Sequence, residues 1–106
     1  MRTVVFFLRP EVAAGFVEAV ADRAALRDLA DIVVVATANV AAGDIPVHTV
    51  DAAGVADAFG MRVPRDGGFP VGYAIVDSDG LVRYRTLDPD MAAELGEVET
   101  ILRATR

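Results

Sequence analysis

The chain has 106 residues, 54% of them hydrophobic, with a formal net charge of -6 and no cysteine. That is the length of one domain, residues 1–106, with apolar content for a single core and too much for a disordered tail. The negative charge disfavours a nucleic-acid partner or an anionic membrane surface, and the absence of cysteine excludes disulfides, thiolate metal sites and thiol nucleophiles in this chain.

Residues 4–8 form an apolar, β-branched and aromatic run, the pattern of a strand buried on both faces. No apolar segment reaches bilayer-spanning length, and the run ends at Arg9-Pro10-Glu11 before a signal peptide's hydrophobic region is complete, so a cytoplasmic location is expected. Residues 11–30 contain no proline, and Val12, Phe16, Val20 and Ala24 recur every four positions, which predicts one amphipathic helix. Glu11 falls near the positive end of its dipole. Residues 32–36 repeat the buried-strand pattern, so the first two strands should pair in parallel around a right-handed crossover.

Residues 39–47 read as a loop, with Gly43, Asp44 and Pro46. Asp51 is the expected N-cap of a helix through Phe59, with Gly60 as its left-handed C-cap. Residues 63–70 are loop throughout. Tyr73 to Val76 and Leu81 to Thr86 flank Asp77-Ser78-Asp79-Gly80, a strong antiparallel hairpin signal. The second of these strands is expected at a sheet edge, where Arg83 and Arg85 would discourage pairing with other chains. Asp88-Pro89 suggests a cap with proline at the first helical position, Gly96 an interruption, and Val98, Ile101 and Leu102 a last helix from Glu97. The order is β-α-β-α-β-β-α: an α/β fold with a four-stranded mixed sheet and helices on both faces.

The same order and three local sequences resemble the thioredoxin-like superfamily. VVFFLRPEVAAG is similar to the strand, loop and helix start that carry the CxxC pair, with Val12-Ala13-Ala14-Gly15 on that tetrapeptide. Phe69-Pro70 resembles the X-Pro bond that is cis in the superfamily. YAIVDSDGLVRYR resembles the closing hairpin of peroxiredoxins, with their F-I-D-x-D-G-x-I-R pattern. The resemblance spans residues 3–103 and implies a minimal thioredoxin-like fold. The departures are chemical. Val12 stands at the attacking thiol, residues 13–16 hold no peroxidatic cysteine, Val71 stands near the supporting arginine, and Pro70 comes one residue early, which leaves its isomer open. Disulfide exchange and peroxide reduction by such folds need a thiolate.

The resemblance implies that Arg9, Glu11, Val12, Gly15, Phe69 and Pro70 converge on the former thiol site. There a redox-inactive module would hold an extended protein or peptide partner by β-strand addition. Two alternatives stay open: a small non-thiol enzyme using His48 with carboxylates or Arg9 as an anion clamp, and a cysteine-free variant of a peroxiredoxin or thioredoxin-type protein, structural or homodimeric. Any homodimer is expected to use an apolar helix face. His48 has Asp51 near it in sequence, but Ser78, the only serine, is distant, and the histidine reads as an exposed loop residue. Asp77 with Asp79, and Asp88 with Asp90, read as a hairpin turn and a helix cap rather than as metal ligands, because no bidentate glutamate follows at a calcium-loop distance. Gly67-Gly68 lacks the context of a phosphate loop. No cofactor and no metal is expected.

Overall fold

The computed structural model describes residues 1–105. The strands are β1 (Thr3–Leu8), β2 (Asp31–Ala36), β3 (Val47–His48), β4 (Gly72–Val76) and β5 (Val82–Leu87). The helices are α1 (Pro10–Ala21), α2 (Ala24–Leu29), α3 (Ala52–Ala58) and α4 (Leu95–Ala104), with a 3-10 turn at Met91–Ala93. The sheet order is β3-β2-β1-β4-β5. As expected, β1 and β2 are adjacent and parallel, with Phe6 opposite Val34. β4 runs antiparallel to both β1 and β5, and β5 is an edge.

The sheet has five strands rather than four. The fifth is only Val47–His48, beside Val34 and Val35 of β2. Two residues following a proline carry no alternation that a sequence pattern could register.

Strand alternation sends β1 to two cores. Val4, Phe6 and Leu8 join Phe16 of α1, Leu26 of α2 and Val98 and Leu102 of α4 on one face. Val5 and Phe7 join Ala52 and Ala56 of α3 on the other. Helices therefore cover both faces, but the second face rests on α3 alone, seven residues long. Among the described residues no helix is long and apolar enough to cross a membrane.

Three local expectations need correction. The helix expected over residues 11–30 breaks at Asp22 and Arg23, and Ala24 starts α2 exposed instead of joining the stripe. No glycine or proline marks this break. Arg23 is held by Glu99 of α4 (Nη1 to Oε2, 2.7 Å), and the turn brings Leu26 fully into the core. Asp51 occupies the N-cap position of α3 but in a left-handed conformation (φ 52°) and without a side-chain capping bond, while Gly60 takes the expected left-handed C-cap (φ 74°). Asp88-Pro89 does not begin a helix. The Asp88 carboxylate accepts the Asp90 N–H (3.0 Å) in an Asx turn, and α4 starts at Leu95 with Gly96 inside its first turn.

Candidate functional site

The loop between α3 and β4 is pinned to the end of β1 by one arginine. Arg9 is the N-cap residue of α1, directly after β1. Its Nε donates to the Phe69 carbonyl (2.6 Å), and its two terminal nitrogens donate to Asp66 (2.7 and 2.8 Å). This bidentate fork is the strong geometry for arginine and carboxylate. Asp66 in turn accepts the Gly68 N–H (2.9 Å). The Arg9 guanidinium, and then the Gly68 N–H, hold the Asp66 carboxyl down at about 2.

Asp66 escaped the sequence reading because its partner lies 57 positions away. The signal that could have marked it is the aspartate ahead of two glycines, an Asx-turn pattern. Arg9 is no open anion clamp, since its guanidinium already has a carboxylate.

A pH prediction follows from the fork. A carboxyl whose folded pKa is depressed contributes stability that is complete above its ordinary range and is lost as pH falls through the folded value. For Asp66 that window runs from 3.8 down to about 2. Asp44 and Asp77 are also lowered, by Arg27 and by the Leu81 N–H respectively, so the whole protein loses stability over the acid range. The Asp66 share is read by difference. Asp66→Asn should be less stable than the parent at neutral pH and should show a shallower fall in Tm below pH 4. Parallel Tm curves for the two proteins would contradict the assignment.

The six residues expected at one site divide. Arg9 and Phe69 meet directly. Pro70 is buried beside them, and no cis peptide bond occurs among the described residues, so Phe69-Pro70 is trans. Glu11 is exposed in the first turn of α1 and reaches Arg9 only through its charge. Val12 packs against the first core whereas Phe69 packs with Phe7 in the second, so the two lie on different sheet faces. Gly15 is exposed on α1, with nothing within 4 Å of where a Cβ would stand. α1 begins at Pro10, so Val12 lies in its first turn and Gly15 in its interior.

Next to the Arg9 fork lies a cleft of about 340 Å³. Ala56, Met61 and Phe69 form its apolar walls, with Gly67 and Gly68 on one side, Ala53 at an exposed position and Thr37 just beyond β2. A larger concavity of about 550 Å³ shares Met61 and Arg62 with it and continues along β5 past Arg85. Arg62 and Arg85 enter none of the ion pairs found among the described residues.

Comparison with protein-family models finds no match, and comparison with the curated proteins finds none. Among solved structures the chain is similar to thioredoxin peroxidase I of Plasmodium yoelii. The TM-score is 0.66 at 9% sequence identity, covering 97% of this chain and 71% of that one. The fold is thioredoxin-like. At that identity the likeness establishes architecture only.

In this thioredoxin-like chain the other expected groups are dispersed. His48 is exposed in edge strand β3, and Ser78 sits in the β4–β5 turn at the opposite edge, so they form no nucleophile–base pair. Asp77 is buried and structural. It accepts the N–H groups of Asp79 (2.9 Å) and Leu81 (3.0 Å) and the Arg83 Nε (2.5 Å). The Leu81 N–H, and then Arg83, hold its pKa low.

Proposed function

We propose that this chain is a thiol-free thioredoxin-like binding module that takes a protein or peptide segment by burying an apolar side chain in the cleft at Phe69. The observation that carries the reading is the cleft itself: apolar walls, a volume near the low end for small-ligand pockets, and a rim loop held in place by the Arg9–Asp66 fork. Such a space suits one side chain better than a cofactor. Backbone pairing beside Pro70 contributes less than the family resemblance implies. The Gly68 N–H, the Phe69 carbonyl and the Val71 carbonyl are already bonded to Asp66, Arg9 and Asp88. Arg62 and Arg85 along the adjoining concavity favour acidic residues flanking the apolar anchor.

Burying one leucine or phenylalanine contributes about 1.5–3 kcal/mol, a factor of roughly ten to a hundred in affinity. The probe is a set of acidic peptides, each with a single central Leu, Phe or Met. Titration should shift the amide signals of Thr37, Ala53, Met61 and Gly68. Ala53→Trp, which fills the cleft mouth from an exposed position, should weaken binding at least about tenfold with an unchanged circular dichroism spectrum. Peptide binding that is indifferent to Ala53→Trp, or shifts confined to other surfaces, would end this reading.

The likeness to a thioredoxin peroxidase favours a second reading, a cysteine-free variant of that group with a structural role. Sibling sequences with cysteine at positions 12–16 would support it. Either reading forbids thiol-dependent peroxide turnover by this chain.

A further inference from the structure

The concavity of about 550 Å³ beside the cleft differs from the other hollows in its charge. Gly60, Met61, Arg62, Arg85, Thr86 and Leu87 line it, so two arginines share it and no carboxylate does. Elsewhere arginines and acids share their hollows. The cleft at Phe69 includes Asp57 with Arg62, the hollow at Arg27 includes Asp31 and Asp44, and the one at Arg23 and Arg103 includes Asp22 and Glu99. The chain has 16 acidic residues against 10 basic ones, so acids are in excess. Arg9, Arg23, Arg27 and Arg83 have each taken one. Arg62 and Arg85 have taken none. The arginine side chains that donate hydrogen bonds among the described residues belong to Arg2, Arg9, Arg23, Arg27 and Arg83. Both guanidiniums on the concavity therefore keep their full sets of N–H donors.

Their placement follows from the backbone. Arg85 stands opposite Ala74 in the β4–β5 ladder, and Ala74 belongs to the second core, so Arg85 projects from the sheet face that α3 covers. Arg62 follows Met61, which is buried in the same core. Gly60 seats Arg85. A Cβ on Gly60 would stand 3.0 Å from the Arg85 Nε and 3.1 Å from its Cζ, so the guanidinium lies where a side chain would otherwise be. The residue that ends α3 thus also holds one arginine at the wall. The backbone N–H groups here are already used: Gly60 donates to the Asp57 carbonyl (2.8 Å) and Met61 to the Ala56 carbonyl (2.9 Å). Any anion in this space is held by the two side chains.

We propose that this concavity binds an organic phosphate monoester, with Arg62 and Arg85 both donating to its phosphate oxygens. One arginine fork satisfies a carboxylate, as Arg9 satisfies Asp66. A phosphate monoester carries a charge of about −1.5 to −2 at neutral pH and three acceptor oxygens, which matches two cations with free forks. The volume falls among small-ligand sites, about 300–1,000 Å³, and leaves room for the organic part of the ester beside Met61 and Leu87. The inference rests on charge and free donors rather than on the apolar cleft, and it goes beyond the peptide reading by naming a ligand that reading does not need.

Phenyl phosphate is the probe, followed through the amide signals of Gly60 and Leu87 and the Nε–H signals of Arg62 and Arg85. Arg62→Gln and Arg85→Gln each remove charge-assisted hydrogen bonds and should each weaken binding at least about tenfold, with unchanged circular dichroism. Arg103→Gln removes the same charge from α4 and should leave the titration as it is. Benzoate keeps the ring but offers one charge, and should bind at least about tenfold more weakly than phenyl phosphate. No shift with millimolar phenyl phosphate overturns the proposal. So does equal weakening by Arg103→Gln, which would mean a diffuse field, and so does benzoate binding as tightly. Peptides without phosphate test the cleft and phenyl phosphate tests this concavity, so either reading can fail alone. A phosphoserine placed beside the central Leu of the acidic peptides then identifies the source. A gain in affinity that Arg85→Gln removes assigns the phosphate to a protein partner, and phenyl phosphate binding without such a gain assigns it to a small ester.

Discussion

Phe7→Ala is expected to cost about 3–5 kcal/mol, the range for deleting a buried phenyl ring. Phe7 is fully buried in β1 on the sheet face that α3 covers alone. Its ring stands edge-on to Phe59 (centroids 5.6 Å apart) and beside Phe69 (6.3 Å). The helix above it offers Ala52 and Ala56, whose methyl groups cannot reach into the space the ring leaves. A domain of this size is stable by about 5–15 kcal/mol, so the loss is a large fraction of the total. Tm should fall by more than about 10 °C. The effect extends to the candidate site, because Phe69 is both the neighbour of Phe7 and a wall of the cleft. Phe7→Leu keeps most of the volume and should cost less than about 1.5 kcal/mol. It should nevertheless weaken peptide binding, since the wall loses its aromatic support. Thermal denaturation of the three proteins checks the first part and peptide titration of Phe7→Leu the second. A Phe7→Ala protein melting within about 3 °C of the parent would mean that the second core contributes little.

How much of this arrangement the sequence revealed depended on range. The buried runs at Val4 and Ile32 announced two central strands, and Asp77-Ser78-Asp79-Gly80 announced the hairpin, because burial pattern and turn chemistry are local. Gly60 was legible for the same reason. The departures were set by partners far along the chain. Arg23 ends α1 in contact with Glu99, 76 positions away. Asp66 became a site residue only through Arg9. The CxxC alignment put Val12 to Gly15 at a helix start, whereas α1 begins at Pro10 and carries Gly15 in its interior. Val12 packs against the first core, while Arg9, just ahead of the helix, bonds to Phe69. Asp88 and Asp90 stood out as neighbours in sequence, whereas the carboxylates that gather are Asp88, Glu94 and Glu97, brought together by a 3-10 turn that no periodicity signalled.

Gly72→Ala should destabilise the protein by about 2–3 kcal/mol, against the usual sign of that exchange. Glycine within regular structure ordinarily costs about 0.5–1 kcal/mol relative to alanine, because it loses more backbone freedom on folding. Gly72 sits in β4 between Phe7 of β1 and Leu87 of β5. A Cβ there would run into the Thr86 carbonyl oxygen and come within 2.9 Å of the Leu87 Cα. Both obstacles are backbone, so no rotamer change relieves them, and β5 itself must shift. Overpacking of this kind costs about 1–3 kcal/mol, and this case belongs at the upper end because an entire edge strand moves. Gly15→Ala is the matched control. That glycine lies in an exposed interior turn of α1 with open space around its Cα, so alanine there should stabilise by about 0.5–1 kcal/mol. Denaturant melts of the two variants should therefore move in opposite directions from the parent. If Gly72→Ala instead raised the midpoint as Gly15→Ala does, the close approach of β5 to β4 at this position would be wrong.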